Sequence, residues 1–229
     1  MKDIHGQAIL EFYKNNKAED LILHNSYGDP EEMSVEVFFR DQLDFTTIEH
    51  LALIECEGRI LDVGAGAGAQ ALVLQEWGKD VVALENSPGC VEVMTRSGIS
   101  QVLEEDFFKH VGKYDTLLLL MNGLGIAGKI SQIPAFLQHC KSLLNPEGQI
   151  LLDSSDISYL YEDGDIQQPT GYYGEIRYKY QYNGNMGDWF DWVYADPDAL
   201  QQIVNKEDLE LEILHMEDTD QYLARISGF

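Results

Sequence analysis

The fold of the chain is indicated by one stretch, RILDVGAGAGAQALVL, which spans Arg59–Leu74 in a sequence of 229 residues. An apolar run with the length of a buried strand leads into three alternating glycines, and a helical pattern follows them. Glycine allows a tight turn and lets the backbone approach a ligand that a Cβ would displace. The stretch therefore predicts a strand, a loop that binds a nucleotide-like cofactor, and a helix.

Two classes of cofactor are compatible with this loop. Gly64, Gly66 and Ala69 satisfy the G-x-G-x-x-[GA] pattern of dinucleotide-binding enzymes. The same glycines, with Gly68 and a preceding Asp62, give instead the D-x-G-x-G-x-G pattern of S-adenosylmethionine enzymes. A carboxylate next to the loop would repel a pyrophosphate but suits an ammonium group, so Asp62 favours the second class.

The rest of the chain predicts the sheet into which this loop is built. Strand–helix units repeat from Arg59 to Asp156, which predicts a Rossmann-like, doubly wound α/β sheet that is mostly parallel. Apolar and polar residues then alternate in GEIRYKYQYNGNMGDWFDWVYAD, which predicts a β-hairpin inserted at about residues 172–195. Two C-terminal strands complete a seven-stranded sheet with an antiparallel C-terminal strand. An N-terminal helical segment or lid is predicted over residues 1–57, and a single domain over residues 58–229.

The charge of the chain limits its partners. Forty Asp and Glu residues against fifteen Lys and Arg residues give a formal net charge of −25. Such a field repels a phosphate backbone, which disfavours nucleic acid and favours a neutral or cationic small molecule. No apolar run is long enough to span a membrane, no secretion signal is expected at the N-terminus, and the three cysteines are scattered. The expected location is the cytoplasm.

The strand–helix units, the glycine loop and the C-terminal strand pair together resemble the class I S-adenosylmethionine-dependent methyltransferases. The LLLMNG-like end of the fourth strand is similar to that of an uncharacterised bacterial subgroup. In the family, the glycine loop meets the methionine end of the cofactor and an acid that closes the second strand binds the ribose hydroxyls. An acid after the third strand meets the adenine amino group. The resemblance implies the first of these roles for Asp62, Gly64 and Gly66. It implies the ribose role for Glu85 and the adenine role for Asp106.

Further residues of the predicted cofactor site lie next to these motifs. Ala65 is within the glycine loop, and Asn86 follows the acid of the second strand. Phe107 either packs on adenine or fills the core. Asn122 and Gly123 end the fourth strand, where the reacting methyl group should be presented because ligands in such sheets bind beyond that edge; Asn-Gly is also a common turn. The alternative for the two aspartates of the site is that they only cap the turns that follow them.

The acceptor side is predicted from Tyr27, in the loop NSYGDP, and from Asp153, Ser154 and Asp156, in DSSD. DSSD is similar to the acidic signature of aminopropyltransferases, but that signature closes the fourth strand and this one closes the fifth. A magnesium-assisted catechol-type site would require an aspartate where the fourth strand ends in Asn122. The six histidines lack the spacing of metal ligands. No metal is therefore predicted. If the nucleophile carries a proton, Tyr27, Asp153 and Asp156 are the candidates for a base, and no catalytic residue is assigned.

The predicted function is methyl transfer from S-adenosyl-L-methionine to an unidentified small molecule by in-line displacement. Two alternatives stay open at this point. One is an NAD-dependent oxidoreductase, and the other is a non-catalytic cofactor-binding module that interacts through the aromatic hairpin. The same hairpin is the candidate surface for a homodimer, unless its aromatic residues pack within the chain.

Overall fold

The computed structural model describes residues 2–229. The α-helices in this range are α1 Ile4–Asn15, α2 Thr47–Glu55, α3 Ala69–Glu76, α4 Pro88–Arg96, α5 Ile133–Leu143 and α6 Pro197–Lys206. The β-strands are β1 Leu21–Asn25, β2 Glu31–Met33, β3 Arg59–Val63, β4 Asp80–Glu85, β5 Val102–Glu104, β6 Tyr114–Leu119, β7 Leu144–Ser155, β8 Glu175–Tyr182, β9 Asn185–Met186, β10 Phe190–Val193, β11 Glu210–Met216 and β12 Gln221–Ser227. Short 3₁₀ turns connect several of them, among them Val35–Phe39, Gln42–Asp44, Phe107–Lys109 and Gly123–Ala127.

Seven strands form one sheet, in the order β11-β12-β7-β6-β3-β4-β5. β4 pairs with β5, and β6 with β7, in parallel, whereas β12 is antiparallel to both β7 and β11. β6 is buried along almost its whole length, as expected for a strand that is covered on both faces of a parallel sheet. The sheet confirms the predicted Rossmann-like architecture, mostly parallel with an antiparallel C-terminal strand.

A second sheet contains strands from the N-terminal segment and from the predicted hairpin. Its order is β10-β8-β1-β2, and β9 pairs with β8. β1 is antiparallel to β8, so that Leu23 lies opposite Tyr180. Leu21, Leu23 and Asn25 are buried and alternate with less buried residues, which is the pattern of a strand. The prediction of a helical segment over residues 1–57, interrupted by the loop NSYGDP, is therefore wrong at β1 and β2. The strand pattern of β1 is too short to be distinguished from helix without its distant partner β8.

Local signals in the sequence start two of the helices. Ser87 caps α4 by accepting a hydrogen bond from the N–H of Cys90, and Pro88 occupies the first turn. Asp196 caps α6 by accepting a hydrogen bond from the N–H of Ala199 at 2.8 Å. Both helix starts are recognisable from the sequence, because these signals lie within a few residues of each start.

The described residues form two compact units, each built from separate segments. The first contains the residues up to Phe45, with Leu61–His110 and Arg177–Phe190; the second contains Thr46–Ile60, Val111–Ile176 and Asp191–Phe229. In the first unit, buried apolar side chains pack α1 against α4. In the second, β6 and β7 pair in parallel, and both strands carry buried aliphatic side chains. The domain boundary predicted at residue 57 stays a prediction. No helix within residues 2–229 is long and apolar enough to cross a membrane.

Candidate cofactor site

The glycine loop follows β3 in the first unit. Gly64 and Gly66 have positive φ angles of +70° and +57°, a backbone region in which a side chain is strained. The N–H groups of Gly64 and Ala65 donate to the carbonyl of Leu84 at 2.9 and 3.2 Å. A Cβ added at Gly64 would meet no described atom within 4 Å. The loop is thus fixed to the end of β4, and it faces open space at Gly64.

The third glycine of the loop has a different physical reason. Gly68 has a φ of +88°, and a Cβ added there would overlap the side chains of Ile99 and Met94. As the residue before α3, it also brings no side chain that could cap the helix. The loop motif therefore combines backbone that faces open space with one position where a positive φ and the side chains of Ile99 and Met94 favour glycine.

Glu85, at the end of β4, is held by backbone N–H groups. Its Oε2 accepts a hydrogen bond from Gly66 at 3.0 Å, and its Oε1 accepts from Asn86 and Ser87 at 2.7 and 3.0 Å. Three charge-assisted hydrogen bonds restrict the rotamer of this carboxylate and keep it against the glycine loop. The structure thus brings together three of the predicted cofactor residues, Gly66, Glu85 and Asn86.

Of the predicted cofactor residues, Asp62 is the one with a buried side-chain oxygen that lacks a hydrogen bond from residues 2–229. Its side chain is only 4% exposed, and its Oδ2 accepts no hydrogen bond from the described part of the chain. Burial, and to a smaller degree the charge of Glu85, raises the pKa of Asp62 to about 7. Leaving a buried acceptor without a donor costs about 1–3 kcal/mol. Asp62 is therefore ready to accept a hydrogen bond from a cationic group.

Asp106 and Phe107 lie after β5. Asp106 accepts a hydrogen bond from the N–H of Phe108 at 3.0 Å and pairs with Lys109 at 3.0 Å, so it does cap the turn that follows it. Phe107 is 4% exposed, and its ring meets that of Phe108 edge to face. Capping and packing, the two alternatives open from the sequence, are both observed; the adenine roles of the two residues stay predictions.

Tyr27 lies in the turn between β1 and β2. Its hydroxyl donates to Glu31 at 2.6 Å, and its N–H donates to the side chain of Asn25 at 3.1 Å. The Tyr27 ring also meets the edge of Tyr178, with centroids 6.5 Å apart. These contacts hold Tyr27 within the second sheet, and its contact with an acceptor stays a prediction.

Two residues that the sequence did not single out are close to Glu85. Asp3 accepts hydrogen bonds from Ser87 Oγ and from the N–H of Gly89, at 2.8 and 2.9 Å. His5 has a buried Nε2 that finds no hydrogen-bond partner within residues 2–229. Burial lowers the pKa of His5, while the charges of Glu85 and Asp3 act in the opposite direction. The sequence shows Asp3 only as a residue ahead of a helix, because its bond to Ser87 joins positions 84 apart.

In the second unit, β6 ends in a strained turn. Met121 and Asn122 have consecutive φ angles of +63° and +58°, which are uncommon for residues other than glycine. The turn is held by Ser155 Oγ, which donates to Asn122 Oδ1 at 2.7 Å, and by Gly123, whose N–H donates to Asp153 Oδ1 at 3.0 Å. Asn122 and Gly123 are thus connected to the DSSD segment, and their contact with the cofactor stays a prediction.

The DSSD residues are engaged in hydrogen bonds within the second unit. Asp153 is 1% exposed and also accepts from Gln221 at 2.7 Å; burial raises its pKa to about 6, against the effect of its hydrogen bonds. Ser154 is fully buried and accepts from the N–H of Ala195 at 3.0 Å. Asp156 is half-buried and accepts from the hydroxyl of Tyr173 at 2.8 Å. Their role toward an acceptor stays a prediction.

Within residues 2–229, no three His, Cys, Asp or Glu side chains are grouped so that they could hold an ion.

The fold and the glycine loop define an enzyme that binds a nucleotide-like cofactor, and comparison with known proteins specifies which one. Residues 31–213 match the family described as methyltransferase domain. An S-adenosylmethionine-dependent methyltransferase from Bacteroides fragilis, solved with S-adenosyl-L-homocysteine, is 41% identical, with a TM-score of 0.92. The match covers 99% of this chain and 94% of that one. The chain therefore belongs to the S-adenosylmethionine-dependent methyltransferases, and S-adenosyl-L-methionine is its cofactor.

More distant solved structures share the fold alone. The CcbJ methyltransferase from Streptomyces caelestis is 14% identical with a TM-score of 0.67, over 100% of this chain and 99% of that one. The sugar N-methyltransferase KedS8 from Streptoalloteichus sp. ATCC 53650 is 15% identical with a TM-score of 0.58, over 87% of this chain and 95% of that one. The search of curated proteins gives no match. Of the two cofactor classes compatible with the glycine loop, the chain uses the one that Asp62 favours.

Proposed function

We propose that the chain transfers the methyl group of S-adenosylmethionine to a small molecule by in-line displacement, and that Asp62 and Glu85 hold the cofactor. The main support is the buried Asp62 oxygen, which accepts no hydrogen bond from residues 2–229, next to a loop that faces open space at Gly64. A ligand that carries an ammonium group would offset the cost of that unpaired acceptor. S-adenosylmethionine carries such a group, together with a ribose diol.

The residues of the first unit fit this cofactor. Asp62 accepts from the ammonium group, and Gly64 and Gly66 let the methionine end approach the backbone. Glu85 accepts three N–H groups and keeps lone pairs for the ribose hydroxyls. When bound, the cofactor supplies a sulfonium methyl group that is already a strong electrophile. The chain's own residues therefore bind the cofactor and orient it, and we propose none of them as a catalytic acid or base.

The other predicted cofactor residues are part of the same proposal. The Asp106 carboxylate is paired with Lys109, which is 77% exposed, and such surface ion pairs are weak enough for an adenine amino group to compete. Phe107 supplies an apolar surface next to it. Asn122 and Gly123 are retained because of their position after β6.

For the acceptor, we propose a neutral or cationic small molecule. The net charge of −25 disfavours a phosphate-rich polymer, and a more distant relative of the same fold is named a sugar N-methyltransferase. Of the predicted acceptor residues, Tyr27 and Asp156 are partly exposed, whereas Asp153 and Ser154 are buried. We therefore retain Tyr27 and Asp156 as contacts and regard the other two as supports of the site.

The cofactor role is tested by calorimetric titration with S-adenosylhomocysteine. We expect Glu85→Gln to weaken binding by about tenfold, because it removes a charged acceptor. The matched control is Asp80→Asn, at the opposite, exposed end of the same strand, which should leave the affinity within about twofold. Equal affinities of the wild type and Glu85→Gln would contradict the proposed site.

The acceptor class is tested with S-adenosylmethionine that is radiolabelled on its methyl group. Pools of amines, sugars and hydroxylated aromatics are compared with RNA, DNA and a protein lysate, and the transfer of label is counted. Label in a small-molecule fraction supports the proposal, whereas label confined to a polymer overturns it.

The aromatic hairpin remains our proposal for a homodimer surface. Trp189 and Met186 are 41% and 42% exposed, and the cations of Arg177 and Lys179 lie 5.5 and 4.7 Å from the Trp189 ring. Large exposed apolar groups of this kind mark many interaction surfaces. Light scattering should give twice the monomer mass for the wild type and the monomer mass for Trp189→Ala. A monomeric wild type would contradict the proposal.

We also propose the cytoplasm as the compartment of this protein. The three cysteines, Cys56, Cys90 and Cys140, are buried thiols, which suits a reducing environment. Cell fractionation with antibodies against the protein would test it.

A further inference from the structure

A single carboxylate joins the starts of two helices in the first unit. Asp3 Oδ1 accepts from the N–H of Gly6 at 2.9 Å, which caps α1. The same oxygen accepts from Ser87 Oγ at 2.8 Å, and Oδ2 accepts from the N–H of Gly89 at 2.9 Å, both at the start of α4. Asp3 therefore satisfies N–H groups that both helices would otherwise leave unpaired, and its negative charge suits both helix dipoles.

Two glycines allow the helices to approach closely enough for this bridge. A Cβ at Gly89 would overlap the carbonyl of Gly6, and a Cβ at Gly6 would overlap Ser87 Oγ. The backbones of α1 and α4 are thus in direct contact where Asp3 binds. The bridge is a consequence of packing that a larger residue at either position would prevent.

The bridge is linked to Glu85 through the turn that follows β4. Ser87 donates its Oγ to Asp3 and its backbone N–H to Glu85 Oε1, at 2.8 and 3.0 Å. Asn86 donates its N–H to the same Glu85 oxygen at 2.7 Å. The turn that orients the Glu85 carboxylate is therefore held from its other side by Asp3.

We propose that Asp3 is a positioning residue of the cofactor site: it fixes the Asn86–Ser87 turn, the turn fixes Glu85, and the affinity for S-adenosylmethionine depends on this chain of hydrogen bonds. The inference rests on the proposed role of Glu85. It makes the N-terminal helix, which itself carries none of the predicted cofactor residues, part of the cofactor site.

A double-mutant cycle with S-adenosylhomocysteine as the probe tests this inference. Asp3→Ser keeps a hydroxyl that can cap α1 but is too short to bridge to α4. We expect Asp3→Ser alone to raise the Kd by about fivefold, and to raise it by less than about twofold when Glu85→Gln is already present. Asp3→Asn keeps two acceptor contacts and loses the one to Gly89. Its Kd should lie between those of Asp3→Ser and the wild type. Thr95→Ala, which removes an exposed side-chain bond at the far end of α4, is the control.

The outcomes separate the two proposals. If Glu85→Gln binds like the wild type, the cofactor role of Glu85 fails, and this inference fails with it. If Glu85→Gln is weakened but Asp3→Ser is not, Asp3 only stabilises the helices, and the melting temperature alone will fall. If the two losses are additive, Asp3 acts independently of Glu85 and the proposed route is wrong. Should Asp3→Ser fail to fold, the same comparisons are made with Asp3→Asn.

Discussion

Two buried aspartates, Asp62 in the first unit and Asp153 in the second, lie at or near the ends of parallel strands and differ in how their oxygens are used. They are 4% and 1% exposed, and burial raises their pKa values to about 7 and about 6. Asp153 accepts from Gly123 and Gln221, whereas Asp62 Oδ2 accepts from none of residues 2–229. Similar residues in similar sequence settings thus act as an internal brace in one unit and as an open acceptor in the other.

The largest expected effect is on the braced aspartate. Asp153→Ala should lower the free energy of unfolding by about 3 kcal/mol, because the buried N–H of Gly123 and the half-buried amide of Gln221 lose their acceptor. Asp153→Asn should cost much less, since its carbonyl oxygen can still accept from Gly123 and the amide of Gln221 can turn. Urea denaturation of both variants measures the difference. Equal losses would mean that the negative charge, rather than hydrogen bonding, is what the site requires.

The open aspartate should respond in the opposite sense. Asp62→Asn should weaken binding of S-adenosylhomocysteine by about tenfold, because a neutral amide oxygen is a poorer partner for an ammonium group. Without ligand, the same variant should be more stable than the wild type at pH 8 by about 1–2 kcal/mol, because it buries no charge. Calorimetry and urea denaturation give the two quantities. A variant that loses both affinity and stability would place Asp62 in the same class as Asp153.

A pair of glycines separates ligand binding from backbone strain. Gly64 and Gly78 have φ angles of +70° and +76°, and at either one an added Cβ would meet none of the described atoms within 4 Å. Alanine at each position should lower the free energy of unfolding by about 1 kcal/mol, since left-handed backbone is strained for alanine. Only Gly64→Ala should weaken binding of S-adenosylhomocysteine, by about fivefold, because only that space is proposed to hold the cofactor. Equal affinities of the two variants would place the cofactor elsewhere.

The smallest expected effect is a dependence on pH. The folded-state pKa of Asp62, about 7, lies above its usual value. Ionisation of Asp62 therefore lowers the stability of the ligand-free protein as the pH rises from about 4 to about 7. An ammonium ligand favours the ionised form, so binding should release a fraction of a proton at pH 6–7 and almost none at pH 8.5. Calorimetry in buffers of different ionisation enthalpy measures this release. It should vanish in Asp62→Asn, and its persistence there would assign the proton to another group.

Local chemistry decides the parts of the fold that are predictable from the sequence. The start of α4 at Ser87 and that of α6 at Asp196 depend on residues within three positions. The glycine loop is recognisable because positive φ at Gly64 and Gly66 is a property of single residues. The position of Glu85 is predictable because it directly follows the apolar residues of β4. These features allow much of the proposed cofactor site to be predicted before any tertiary contact is known.

Contacts between distant residues decide the rest. The strand β1 is recognisable only beside β8, and the brace at Asp153 depends on Gln221, 68 positions away. An aspartate at the end of a strand is equally compatible with a substrate contact and with a brace, so the sequence predicts an acceptor contact at DSSD and gives no sign of the brace. The bridge from Asp3 to Ser87 likewise has no signature within either segment.

The pairing of β1 with β8 also sets an order for the synthesis of the protein. His24 and Gln181, joined by a hydrogen bond of 2.8 Å, are 157 positions apart. At about 5–20 residues per second, the nascent β1 must wait about 8–30 seconds for its partner to be translated. During that interval its backbone edge is open to wrong pairing, and the compact unit that contains Glu85 cannot be complete until the ribosome has passed Phe190.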